Sequence, residues 1–149
     1  MDRADHLASF GMMVHDRGTG RVDHVAGRPV LRYHLHDDDG ADLRAGILMC
    51  ARAWFAAGAE RVLLPLLGAR NEFGSASELD DAHFGPAHIQ WAAFHPQGTA
   101  GIGRVVDPDL RLSPRVHVCD ASVLPGSPGA NPQLTIMALS LRLADRLAQ

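Results

Sequence analysis

A histidine heading a glycine-rich loop and an asparagine heading a helix are the residues of this sequence best suited to chemistry. His95 stands in "AFHPQGTAGIG", before Pro96 and a loop holding Gly98, Gly101 and Gly103. A strand end that runs into glycines lets side chains reach a ligand and lets backbone approach it closely. An imidazole titrates near neutrality, at about pH 6.5, and can take a proton from a reacting hydroxyl. Asn131 stands in "SPGANPQLTIMALSLRLADRLAQ", where Pro125, Gly126, Ser127, Pro128 and Gly129 prepare the approach. It reads as an N-cap with Pro132 as the first helical residue. The helix start carries roughly half a positive charge and suits an anion or a ring carbonyl. Asp120 closes the stretch "RVHVCDAS" and is placed to meet a bound cofactor. Each residue also has a plainer reading. His95 is then a loop histidine satisfied by backbone, Asp120 an aspartate turn, and Asn131 a self-contained cap.

Other groups carry less. His34 and His36 share one strand face beside acids, as a metal site would require, but no third ligand converges with them. "GTAGIG" has neither the spacing of a dinucleotide loop nor the Lys-Ser/Thr ending of a phosphate loop. No serine occupies a G-x-S-x-G elbow.

These residues must be positioned by a small mixed domain. The hydrophobic share of 46% is that of a globular protein, and a net charge of -3 argues against nucleic acid or an anionic membrane as partner. No apolar run is long enough to span a bilayer, and the N-terminus lacks the apolar core of a signal peptide. Cys50 and Cys119 form no paired motif, which fits a reduced, cytoplasmic setting.

The pattern predicts a hairpin over 21–36 with its turn at Gly27–Pro29 and a half-buried strand through Leu31, Tyr33 and Leu35. A short strand is expected within 9–20. A helix follows, capped by Asp37 or Asp38, with Leu43, Ile47, Ala51 and Trp54 as its apolar stripe and Gly58 as its stop. "RVLLPLL" reads as a short buried strand, 68–86 as loop with a short helix near Ser77–His83, and "HIQWAAF" as a strand. "RVVDPDLRL" is a second extended piece and "RVHVCDAS" a buried strand. The last helix is apolar almost all round and is expected to be deeply buried. The fold class is α+β, an antiparallel sheet flanked by helices, with one domain over residues 1–149.

"HPQGTAGIG", "VVDPDLRL" and "VHVCDASVLPGSPGANPQLTIMALSLRLADRLA", in this order and spacing, resemble the C-terminal region of glucose–methanol–choline (GMC) flavin-dependent oxidoreductases. The hairpin, the first helix and "AAGAERVLLP" resemble the substrate-side part of bacterial members. The resemblance implies FAD as cofactor and oxidation of a small-molecule alcohol by hydride transfer. It places the family's catalytic His on His95 and its partner Asn on Asn131. It puts Asp120 and Ala121 at the ribityl–phosphate side, and Pro132 and Gln133 at the helix tip beneath the ring. The final strand and helix would then belong to the FAD-binding part.

The N-terminal G-x-G-x-x-G unit of that family does not occur in this sequence. The loops after His95 and before Val116 are shortened, and "AGIG" replaces the commoner pattern. The expectation is therefore a carboxyl-terminal piece that works with a separate FAD-binding half or within a parent chain. The alternative is a non-catalytic truncated remnant or interaction module of the same fold.

Overall fold

The computed structural model describes residues 6–149. The chain divides into two compact units, one comprising the segment through Val14 together with Gly18–Trp91, the other His15–Arg17 with Ala92–Gln149. Both mix helix and strand, as an α+β chain should. The strands form three separate antiparallel pairs, each two-stranded, in place of a single sheet.

The first unit opens with strands β1 (Gly20–Val25) and β2 (Arg28–Tyr33). The strand expected within 9–20 is not formed; only Gly20 is extended, as the first residue of β1. The turn lies one residue earlier than the sequence suggests: Ala26 and Gly27 both have positive φ, 49° and 76°. Two left-handed residues make the mirror-image turn whose twist matches a hairpin, which is why Pro29 sits inside β2 opposite His24. Val22 pairs with Leu31 and Gly20 with Tyr33 on one face, while Asp23 joins Arg21 and Arg32 on the other. The alternation is real but the burial is not, since Leu31 is 77% exposed. Tyr33 at the end of this face meets Trp91.

Helix α1 (Asp37–Ala56) follows. Its cap is His36, whose Nδ1 accepts from the Asp38 amide at 3.3 Å, and not Asp37 or Asp38 themselves. The three aspartates instead fill the first turn, where the helix dipole favours them. The fully buried Asp39 carboxylate accepts from the Gly18 amide and ties the preceding segment to the helix start. Gly58, at φ 93°, lets the chain leave the helix. Ile47 and Ala51 face inward as expected, with Leu43 and Trp54 at the margin. They pack on Leu64, Leu66, Phe73 and Leu79. "RVLLPLL" alternates cleanly: Val62, Leu64 and Leu66 are buried, whereas Leu63 and Leu67 point outward. Only β3 (Val62–Leu63) is regular, paired with β4 (Glu72–Phe73). The short helix expected near Ser77 is a 3-10 turn, Ser77–Leu79. "HIQWAAF" forms no strand. A 3-10 turn led by Pro86 occupies its start, and Ile89 makes a single bridge to Leu66.

In the second unit β5 (Arg111–Ser113) and β6 (Val116–His117) form a short hairpin. The expected buried strand reduces to β6, and Val116 is exposed. Val106, Leu110 and Val123 form the core, with Leu139 and Leu143 of α2 (Gln133–Leu147) against it. The deeply buried terminal helix is corrected: no residue of α2 is buried, and Leu134 and Leu141 are 81% and 67% exposed. The helix is apolar on more than one side, and the core of its unit meets only the side of Leu139 and Leu143.

Phe73 is 2% exposed. Its replacement by Ala should lower the unfolding free energy of the first unit by about 3–5 kcal/mol. Leu31→Ala should change it by less than about 0.5 kcal/mol. Both tryptophans, Trp54 and Trp91, lie in this unit, so fluorescence-monitored urea denaturation reads the two effects directly. In the second unit Asp107 accepts from the Asp109 and Arg111 amides, both at 2.9 Å, and from the Arg111 guanidinium. The backbone hydrogen bond from Arg111, more than its charge, holds the carboxyl below the usual range. A lowered carboxyl pKa stabilises the folded form above the unfolded value, and that gain disappears as pH falls through the folded one. The protection factors of the Arg111 and Val118 amides should therefore fall on acidification below about pH 4, and Asp107→Asn should flatten that dependence.

Candidate functional site

The site is built on two backbone hydrogen bonds. The Ala100 amide donates to the Ser122 carbonyl at 3.0 Å, and the Ile102 amide to the Val123 carbonyl at 2.9 Å. They lay the glycine-rich loop beside the 3-10 turn Ala121–Val123. Gly98 and Gly103, at φ 83° and 80°, supply the left-handed turns the loop needs. Arg104 closes it by donating to the Gly98 carbonyl. Val123, fully buried, anchors the turn.

A pocket of about 380 Å³ results, within the range that takes a small ligand. The loop contributes Phe94, His95, Pro96 and Thr99. The turn contributes Asp120, Ala121 and Ser122, and the start of α2 contributes Pro132 and Ile136. Four of the residues singled out from sequence thus share one pocket: His95, Asp120, Ala121 and Pro132. Asn131 and Gln133 flank Pro132 in the chain, both exposed, and do not line the cavity wall. Phe94, Thr99, Ser122 and Ile136 were missed. Their signal was adjacency to the chosen residues, with Ile136 one helical turn beyond Pro132.

Local structure explains each placement. Asp120 caps the 3-10 turn, its Oδ1 accepting from the Ser122 amide at 2.8 Å, so the aspartate-turn reading is present alongside the pocket position. Asn131 does not cap α2. The N-cap position falls on the buried Pro132, which offers no side-chain acceptor, and the first intrahelical bond runs from the Ile136 amide to the Pro132 carbonyl. The amides ahead of Ile136 have no place in that ladder. Gln97 Oε1, in the same loop as His95, is buried without a donor.

A larger cavity, about 540 Å³, lies between the β5–β6 hairpin and the last turns of α2. Its charges are already matched, Arg111 with Asp107 and Arg146 with Asp109. Among the described residues no group of three or more His, Cys, Asp or Glu side chains could hold a metal ion, and His36 is engaged in capping α1. No helix among them is long and apolar enough to cross a membrane.

The sequence model of GMC oxidoreductase matches residues 15–140. The chain belongs to the GMC oxidoreductase family. An uncharacterized GMC-type oxidoreductase of Mycobacterium tuberculosis strain H37Rv is 43% identical over 155 residues, covering 98% of this GMC chain and 24% of the relative. A long-chain-alcohol oxidase of Arabidopsis thaliana is 28% identical over 171 residues, covering the whole chain and 22% of that protein. A protein of Acanthamoeba polyphaga mimivirus, named as a truncated GMC-type inactive oxidoreductase, is 35% identical over 66 residues, 41% of this chain and 82% of its own length. This GMC chain therefore spans about a quarter of the length of the first relatives it matches. No solved structure matches it.

Because Asn131 makes no cap, Asn131→Ala should leave the melting behaviour of the second unit within about 0.5 kcal/mol of the parent. Asp120→Ala, which removes a turn cap, should cost about 1 kcal/mol. Thermal denaturation of the two variants side by side checks the contrast.

Proposed function

We propose that this chain is the catalytic portion of an FAD-dependent oxidoreductase acting on the CH–OH group of a small-molecule alcohol. One observation carries the reading: His95 and the uncapped start of α2 meet at a single pocket in one compact unit. The match of the whole chain to 22% of the long-chain-alcohol oxidase supports it.

The residues fit a flavin. The amides at the tip of α2 suit a ring carbonyl that gathers negative charge, and the positive end of the helix favours that charge. Pro132 and Gln133 would lie at this tip, with Asp120 and Ala121 toward the ribityl–phosphate side. Bound FAD would supply the hydride acceptor. His95 takes the hydroxyl proton as the carbon gives up its hydride. Asn131, outside the lining but adjoining the pocket residue Pro132 and free of capping duty, would orient the substrate oxygen by hydrogen bonding. The grip on the ADP part of FAD must come from a flavin-binding half, in a parent chain or a partner, because this sequence holds no G-x-G-x-x-G. Both cysteines are free, in keeping with a reducing cytoplasmic setting.

A second reading is a non-catalytic remnant of the same fold. The truncated, inactive mimiviral relative favours it. Joining the chain to a GMC flavin-binding half separates the two. A working portion gives a yellow complex that bleaches when an alcohol is added without oxygen; a complex that stays oxidised, or never turns yellow, establishes the remnant. His95→Ala should slow flavin reduction by about 10²–10⁴-fold in stopped-flow absorbance, and an unchanged rate removes His95 from the proton transfer.

A further inference from the structure

We infer that Phe94 selects the substrate and that this substrate is a neutral alcohol with an apolar carbon chain. The inference deepens the reading above and rests on the pocket being an alcohol site.

Phe94 is 85% exposed, more than any other large hydrophobic side chain among the described residues. It lines the pocket together with the apolar residues Pro96, Pro132 and Ile136, so it is not isolated surface. Solvent-facing aromatic surface of this kind is stabilised when an apolar group covers it. Phe94 directly precedes His95, so a chain held on the ring brings its hydroxyl end to the imidazole.

The remaining pocket lining of this chain favours the other classes of alcohol less. A polyhydroxylated sugar needs a dense set of hydrogen-bonding side chains, yet the uncommitted polar groups here amount to Thr99, Ser122 and His95. Asp120 commits its Oδ1 to the Ser122 amide, and its remaining oxygen is an acceptor only. A quaternary ammonium alcohol is held by several aromatic faces, and Phe94 is the only ring in the lining besides His95. No arginine lines the pocket, although every one of the 14 basic residues of the chain is Arg, so an anionic alcohol finds no counter-charge.

The test is direct binding to the ¹⁵N-labelled chain, read by amide chemical shifts, with hexan-1-ol, benzyl alcohol, glucose and choline as probes. Hexan-1-ol and benzyl alcohol should shift the Phe94, His95 and Ile136 amides, while glucose and choline at the same concentration leave them in place. Phe94→Ala should weaken hexan-1-ol binding about tenfold, and Phe94→Leu should retain most of it. Unchanged α2 and β5–β6 signals will show that the variants are folded. Equal shifts from glucose or choline, no shift from any alcohol, or undiminished binding to Phe94→Ala each overturn the inference. Flavin is absent from this experiment. Alcohol binding at Phe94 together with a flavin complex that does not bleach would therefore remove the redox reading and leave the binding assignment standing.

Discussion

The second unit depends on a seam of two main-chain hydrogen bonds, from the Ala100 and Ile102 amides to the Ser122 and Val123 carbonyls. Backbone bonds of this kind fix position without regard to side-chain identity, so the loop can carry His95 at its head while its register is held elsewhere. The glycines serve the same end. Gly98 and Gly103 take left-handed turns that other residues adopt only at a cost of about 1–2 kcal/mol. Beneath the seam lies Val123, sealed from solvent. His95 and Asp120 share a pocket because loop and turn are registered against this line of bonds, and the start of α2 adds Pro132 to it.

The two units divide the work unevenly. The first has a long helix and a core that includes Phe73, Leu79 and Ala51, each 2% exposed or less. The second buries only Val106, Leu110 and Val123 in its core cluster and carries the pocket. Sites that must open to a ligand are drawn from regions with little buried apolar contact. The matched Arg–Asp pairs along β5 and α2 lie at the surface, where such pairs contribute little, so the small core and the seam carry the second unit.

Much of this was legible in the residues. Period-3.6 apolar spacing located α1 and its stripe, and the alternation from Arg21 to Tyr33 located the hairpin, because both signals are written locally. Details decided by a single backbone torsion or a single competing acceptor were not. Ala26 takes the left-handed turn although alanine disfavours it, because the hairpin twist requires it. His36 caps α1 in preference to the neighbouring aspartates, a choice between adjacent acceptors that spacing does not resolve. "HIQWAAF" has the composition of a strand but finds one bridge to pair with, and composition does not create a partner. Loop, turn and helix start do share a pocket, which holds His95, Asp120, Ala121 and Pro132 but neither Asn131 nor Gln133. Its apolar lining went unread because Phe94 and Ile136 look like ordinary core residues in a linear sequence.

The outward side of α2 has a consequence of its own. Leu134, Met137 and Leu141 repeat along one flank of the helix and stand in water. Surfaces of this kind are what holdase chaperones grasp and what quality-control proteases find. A copy of this polypeptide with that flank bare therefore offers such factors a handle.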